Sequence, residues 1–299
     1  MKCELCPRMC WADREKGELG FCGLGPIPTV RRAAPHMWEE PCICGPGGSG
    51  TIFFGGCNLR CVYCQNAGIS REKGSGAGSP PEKIADICLT LQSEGVSNVN
   101  FVTPTPWVNV IKSSLEIAWD KGFFLPVVYN TGGYDSVGAI KSLRGYVSVY
   151  LPDFKYSSDE LAVKYSSAPG YAAAALSAIN EMSAQVGPPS FDGDGMLRRG
   201  VIVRHLVLPG YARESAETLR ALYRGLDDPG GVIVSVMSQY TPQPGVPDEL
   251  NRTVGDGEYR LVCEAAEDLG FYGVYTQDGS SASESFIPEW DRGPAAPTL

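Results

Sequence analysis

A chain of 299 residues, 43% hydrophobic and 20% charged, can bury a large core as one domain or two. Its net charge of −9 comes with no basic block, which argues against nucleic acid as a direct partner. No apolar run is long enough to span a bilayer, and the N-terminal MKCELCPRMCWADREKGELG is polar and cysteine-rich rather than a secretory leader, so a cytoplasmic protein without a membrane partner is expected.

Residues 1–50 have little periodicity and many Cys, Gly and Pro. Nine of the eleven cysteines fall within the first 64 residues, a density that points to metal rather than disulfides in a chain with no leader. Cys3, Cys6, Cys10 and Cys22 form C-x2-C-x3-C-x11-C, four thiolates that suit either zinc or a [4Fe–4S] cluster. Cys42 and Cys44 are further candidates, and one of them can replace Cys22. Residues 1–50 therefore read as a metal-binding extension, and residues 51–299 as the main domain with a C-terminal tail.

From Thr51 the pattern changes. TIFFGG is a predicted strand that runs into GGCNLRCVYCQN, where Cys57, Cys61 and Cys64 are spaced C-x3-C-x2-C. Residues 71–80 are a Gly/Ser loop. PEKIADICLTLQSEG is a predicted helix with Ile84, Ile87 and Leu91 on one face. NVNFV is a strand, followed by a helix from Trp107 to Lys121. PVVYN is a strand and DSVGAIKSL a helix. YVSVYLPDF is a strand ending at Asp153 and Lys155, with helices at 158–166 and 170–186 after it. A Gly/Pro/Asp loop over 187–200 precedes the strand GVIVRHLVLPG. ESAETLRALYRGL (helix), GVIVSVMSQY (strand), GEYRLVCEAAEDLG (helix) and FYGVYTQ (strand) complete the series. Cys88 and Cys263 sit in helices as small buried hydrophobes. This alternation predicts an α/β fold with a mostly parallel sheet, a partial (β/α)6 TIM-like barrel, whose active site lies at the C-terminal ends of the strands.

Three thiolates in one loop can hold three irons of a [4Fe–4S] cluster and leave the fourth open to a small molecule. The alternative is a zinc site completed by a distant cysteine. The C-x3-C-x2-C run resembles that of the radical S-adenosylmethionine (SAM) enzymes. The resemblance implies that the open iron chelates SAM and that one-electron reduction gives a 5′-deoxyadenosyl radical, which abstracts a substrate hydrogen. It places Tyr63 against adenine and Gln65 near the cofactor. The segment His36 to Cys42, GSGTIFF and the tail Phe286 to Asp291 extend the likeness to paralogues of the pyruvate formate-lyase activating enzyme, across nearly the whole chain.

That resemblance assigns further residues. Thr103-Pro104-Thr105-Pro106 stands where activating enzymes carry Gly-Gly-Glu-Pro. Their glutamate is absent, and Thr103 or Thr105 can accept from the SAM ammonium or simply form a rigid turn. Gly132 and Gly133 allow either close backbone approach or a plain turn. Asp153 and Lys155 match an Asp-Leu-Lys motif, Lys155 facing the SAM carboxylate; a surface ion pair is the alternative. His205, in VRHLVLPG, is expected to touch SAM, with Arg204 on the opposite face in a structural role. His36 reads as loop packing.

The expected function is hydrogen abstraction by an anaerobic iron–sulfur oxidoreductase, on the resemblance from a glycine Cα of a partner glycyl-radical enzyme. A small molecule or another peptide is the alternative substrate. A flavodoxin or ferredoxin would supply electrons. A scaffold or electron carrier is the non-enzyme alternative, and the incomplete cysteine set argues against it.

Overall fold

The computed structural model describes residues 2–73 and 78–277. Part of the Gly/Ser loop and the tail Phe286 to Asp291 lie outside them. The first strand, β1 (Val30–His36), is followed by the short helix α1 (Pro41–Cys44), β2 (Ser49–Phe54) and the one-turn α2 (Ala67–Ser70). Then come α3 (Pro81–Ser93), β3 (Val99–Val102), α4 (Val108–Asp120), β4 (Val127–Thr131), α5 (Val137–Ser142) and β5 (Val149–Pro152). After α6 (Asp159–Ser166), α7 (Tyr171–Val186) and a two-residue β6 (Ser190–Phe191), the chain forms β7 (Leu197–Leu206), α8 (Ala212–Gly225), β8 (Ile233–Met237), α9 (Asp256–Glu267) and β9 (Gly273–Tyr275). Pro81 opens α3, where its missing N–H costs nothing, and the Ser136 and Ser158 hydroxyls cap α5 and α6.

The sheet runs β1-β2-β3-β4-β5-β7-β8-β9, with β6 paired only to β7. All neighbours from β2 to β9 along this path are parallel, and β1 is antiparallel to β2. Six strand–helix units and a seventh strand make the partial barrel. The sheet's edges are β1 and β9. Strand β1 lies inside the stretch read as a metal-binding extension and joins it to the barrel by six aligned pairs, Val30↔Phe54 to His36↔Ser49.

Alternation divides each strand between two environments. One face packs under the helices in the main core, which holds Tyr129, Tyr150, Val201, Val203 and Val234. The other faces the barrel interior, where Val128, Val149, Leu151, Ile202 and Ile233 pack around Cys42 and Ile43 of α1. The candidate Cys42 thus packs in this interior, and Cys44, on the same short helix, is buried. The Cys44 thiol donates to the His36 carbonyl, 3.5 Å away.

Gly133 marks a close approach. Its φ is +79°, and a Cβ there would lie 2.1 Å from the Asp153 carbonyl oxygen. Only glycine lets the turn after β4 pass the end of β5.

Candidate functional site

Parallel register brings the C-terminal ends of the strands into one ring. Phe53 is aligned with Val102, Val102 with Asn130, Asp153 with Arg204, and Leu206 with Met237. These residues line a cavity of about 230 Å3 together with Cys61, Tyr63, Cys64, Gln65 and Asn66 from the loop after β2. The opposite wall is His36, at the end of β1, with Trp38 and Glu39 from the segment that leads to α1.

The cysteine loop is held by side chains from distant elements. The Leu59 N–H donates to the Cys57 sulfur at 3.4 Å, and the Ser166 hydroxyl donates to the Cys61 sulfur at 3.0 Å. The Cys64 sulfur and Ser70 Oγ are 3.3 Å apart. Tyr63 is buried, with its hydroxyl on that of Tyr156. Tyr156 in turn meets Ser166 at 2.8 Å, so hydrogen bonds link the aromatic ring to the Cys61 sulfur. Gln65 Nε2 donates to the Gln239 carbonyl at 3.2 Å.

Among the described residues no three His, Cys, Asp or Glu side chains are gathered as ligands of a single metal ion would be. The donor set still fits a cluster. Burial, with the neighbouring Cys61 and Cys64 adding, pushes the Cys57 thiol up to about 12; burial also raises Cys61, with Lys155 opposing. Thiols so placed stay protonated unless a cationic metal centre takes them, and N–H and O–H donors already point at two of the sulfurs.

Inside the ring runs a buried ladder of charge. Lys155 Nζ meets Asp153 Oδ2 at 2.5 Å, and Asp153 Oδ1 accepts from Arg204 Nε at 3.0 Å. Arg204 also donates to Asn130 Oδ1 at 2.6 Å and stands 3.7 Å from Glu39. Glu39 Oε1 accepts from Asn100 Nδ2 at 3.1 Å and Asn130 Nδ2 at 3.4 Å. Burial alone would raise Asp153, but Lys155 and Arg204 outweigh it and hold it below the usual carboxylate range. Burial raises Glu39, with Arg204 offsetting part of the effect. Lys155 is lifted above its ordinary value because Asp153 and Cys61 outweigh its burial.

Arg204, expected on the opposite face of β7, lines the cavity, as does His36, expected to pack within its loop. His205 does not line the cavity. Its Nδ1 donates to the Phe154 carbonyl at 2.8 Å and its Nε2 is buried with no partner. Thr103 and Thr105 do not line it either. Thr103 has a φ of +58°, and the Thr105 hydroxyl lies 3.2 Å from that of Thr131.

His205 yields a pH prediction. Burial, with Lys155 adding, pulls the ring down to about 4. The unfolded ring binds a proton below about pH 6.5 that the folded ring refuses until near pH 4, so stability falls as pH drops through that window, by about 3 kcal/mol. His205→Asn should remove this component. Urea unfolding at pH 7 and pH 4.5 checks it, and an equally steep acid loss in the variant would contradict it.

Cys3, Cys6, Cys10 and Cys22 line a second, smaller cavity with Asn58, Thr105 and Pro106. Burial pushes the Cys6 thiol up to about 12, and burial with Cys10 and Cys22 raises Cys3. This cavity abuts the cysteine loop. Asn58 lines the cavity beside Cys6, and the Asn58 Oδ1 lies 3.8 Å from the Cys57 sulfur. Arg8 Nε donates to the Asn58 carbonyl at 3.0 Å. Among the described residues no helix is long and apolar enough to cross a membrane.

Comparison with known proteins agrees with this geometry. The chain is 30% identical over 292 residues to Uncharacterized protein MJ0674 of Methanocaldococcus jannaschii, covering 91% of this chain and 76% of that one. Its fold is similar to that of Streptococcus suis SuiB bound to S-adenosylmethionine, with a TM-score of 0.51 at 10% identity, over 75% of this chain and 48% of SuiB. SuiB has also been solved with its precursor peptide SuiA. The [FeFe]-hydrogenase maturase HydG of Carboxydothermus hydrogenoformans gives 0.51 at 10% identity, over 81% of this chain and 61% of that one. This chain thus spans about half of SuiB. The model of the Radical SAM superfamily matches residues 51–222, more than half of the chain and a span that includes Cys57, Cys61, Cys64, Asp153, Lys155 and Arg204, and the chain belongs to that superfamily.

Proposed function

We propose that this chain is a cytoplasmic, anaerobic iron–sulfur oxidoreductase that cleaves SAM reductively and abstracts hydrogen from a peptide or protein, with a glycine Cα of a partner glycyl-radical enzyme as the first candidate. The observation that carries this reading is the meeting of Cys61 and Cys64 with the Asp153–Lys155 pair around one cavity. Cys57, Cys61 and Cys64 would hold a [4Fe–4S] cluster which, when bound, supplies the electron that breaks the S–C5′ bond of SAM. Lys155 keeps two N–H donors beyond the one on Asp153, enough to hold the carboxylate of SAM. Tyr63 offers an aromatic wall for adenine, and Gln65 a polar edge. Arg204 and Asn130, which line the same cavity, offer further polar contacts to SAM.

Cys3, Cys6, Cys10 and Cys22 would hold a second metal, zinc or a second cluster, beside the first. A flavodoxin or ferredoxin is the proposed electron donor. SuiB, a structural neighbour solved with a peptide, favours a peptide substrate; a small molecule remains the second reading because the cavity holds only about 230 Å3.

Anaerobic reconstitution with iron and sulfide, followed by dithionite and SAM, tests both parts. 5′-Deoxyadenosine should form, and its absence would sink the enzymatic reading. Iron near about four per chain, with zinc, assigns the N-terminal set to zinc; about eight irons assigns it to a cluster.

A further inference from the structure

Behind Trp38 the main cavity continues into a pocket of about 110 Å3, lined by Glu39, Glu40, Ser235, Tyr275 and Gln277. The two spaces share Trp38, Glu39, Arg204, Met237 and Gln239. We propose that this pocket is a subsite for a positively charged group of the substrate, an ammonium or a guanidinium, with Glu40 as its anionic floor. The proposal names a substrate class for the site above and rests on that reading.

The argument is one of charge and partners. Along the ladder Glu39, Arg204, Asp153 and Lys155 the signs alternate and cancel. Arg204 is spent on Asp153, Asn130 and Glu39. Glu40 is a further carboxyl outside that ladder. It is 9% exposed, and its Oε2 is buried without a hydrogen-bond partner. Burial therefore raises Glu40, while Arg204 and the Ser235 hydroxyl offset only part of the effect.

A buried carboxylate oxygen with no donor is costly, and an entering N–H-bearing cation would supply both the missing donor and the missing charge. The rest of the pocket suits such a group. Trp38 and Tyr275 line the pocket with aromatic surface that a cation favours, and Met237 would cover its stem. An anion would meet two carboxylates, and the one guanidinium lining the pocket is already shared between Asp153 and Glu39.

The test is binding of organic cations to the full chain, without SAM or reductant. The probes are Nα-acetyl-lysine methylamide, Nα-acetyl-arginine methylamide and putrescine, with the norleucine counterpart as neutral control. Titration calorimetry should show saturable binding of at least one cation and none of the norleucine compound. Glu40→Gln should weaken that binding at least tenfold. It should fold as well as the wild type or better, since it removes a buried charge, so its melting temperature separates lost binding from lost structure. Binding of the amides alone supports the subsite with a peptide as source, and binding of putrescine alone supports it with a free amine. No cation bound, equal binding by Glu40→Gln, or equal binding of norleucine would overturn it. Because SAM cleavage is assayed separately, failure here leaves the proposed chemistry standing, and failure of the chemistry leaves the cation result interpretable.

Discussion

Cys61→Ala should abolish 5′-deoxyadenosine formation, a fall of at least about a thousandfold, because the loss removes one of only three protein donors to the proposed cluster. Cys61 is the informative choice among the three. Its sulfur lines the cavity, accepts from Ser166, and sits where Lys155 feels its charge. The substitution also removes the thiol at the end of the Tyr63–Tyr156–Ser166 hydrogen-bond chain while leaving the chain's hydroxyls to one another. Iron counting and chromatography of the nucleoside product check it together. Product formed at the wild-type rate would remove Cys61 from the site. A drop in iron by about four per chain, with any iron at the N-terminal set retained, would show that the two cysteine groups load independently despite sharing Asn58.

The sequence made the frame of this site readable and hid its interior. The strand–helix alternation and the cysteine spacing are local signals, and each survived folding intact. Face assignment on β7 was not local. GVIVRHL is apolar on both sides of the polar pair because a parallel strand in this architecture is buried on both faces. Periodicity then gives no phase, and a shift of one residue exchanges Arg204 for His205. The partners that hold Arg204 on the cavity side are Asn130 and Asp153, 74 and 51 positions away, and Glu39, more than 160 positions away in a stretch with no periodic pattern. The same distance hid the wall formed by His36, Trp38 and Glu39. A usable signal did exist: two adjacent glutamates in a short apolar-flanked run, WEEPCIC, need buried partners if they turn inward. The Thr-Pro-Thr-Pro turn misled for the opposite reason. Its strand-end position is right, but Thr105 faces the N-terminal cysteine cavity and its hydroxyl is taken by Thr131.

Arg204→Met should destabilise the fold by about 3–5 kcal/mol, because it strips the cation from a buried set of carboxylates while keeping side-chain volume. For a domain of this size that corresponds to a fall in melting temperature of roughly 10 °C. Arg204 touches Asp153, Asn130 and Glu39 at once. Without it Lys155 still holds Asp153, so the heaviest loss falls on Glu39, left with two amide donors, and on Glu40 behind it. The sign of the pH dependence distinguishes this from simple loss of packing. In the wild type the depressed Asp153 contributes stability above its unfolded value that is lost as pH falls through its folded value. In the variant Glu39, already raised by burial, rises further, and a carboxyl raised in the folded state penalises folding most at high pH. The gap between wild type and Arg204→Met should therefore be widest at alkaline pH and narrow as pH falls and Glu39 takes up the proton that removes its need for a cation. Thermal unfolding across that range measures it. A gap that stays constant with pH would mean that Arg204 acts through packing alone, and that the charge ladder does not set the electrostatics of the barrel mouth.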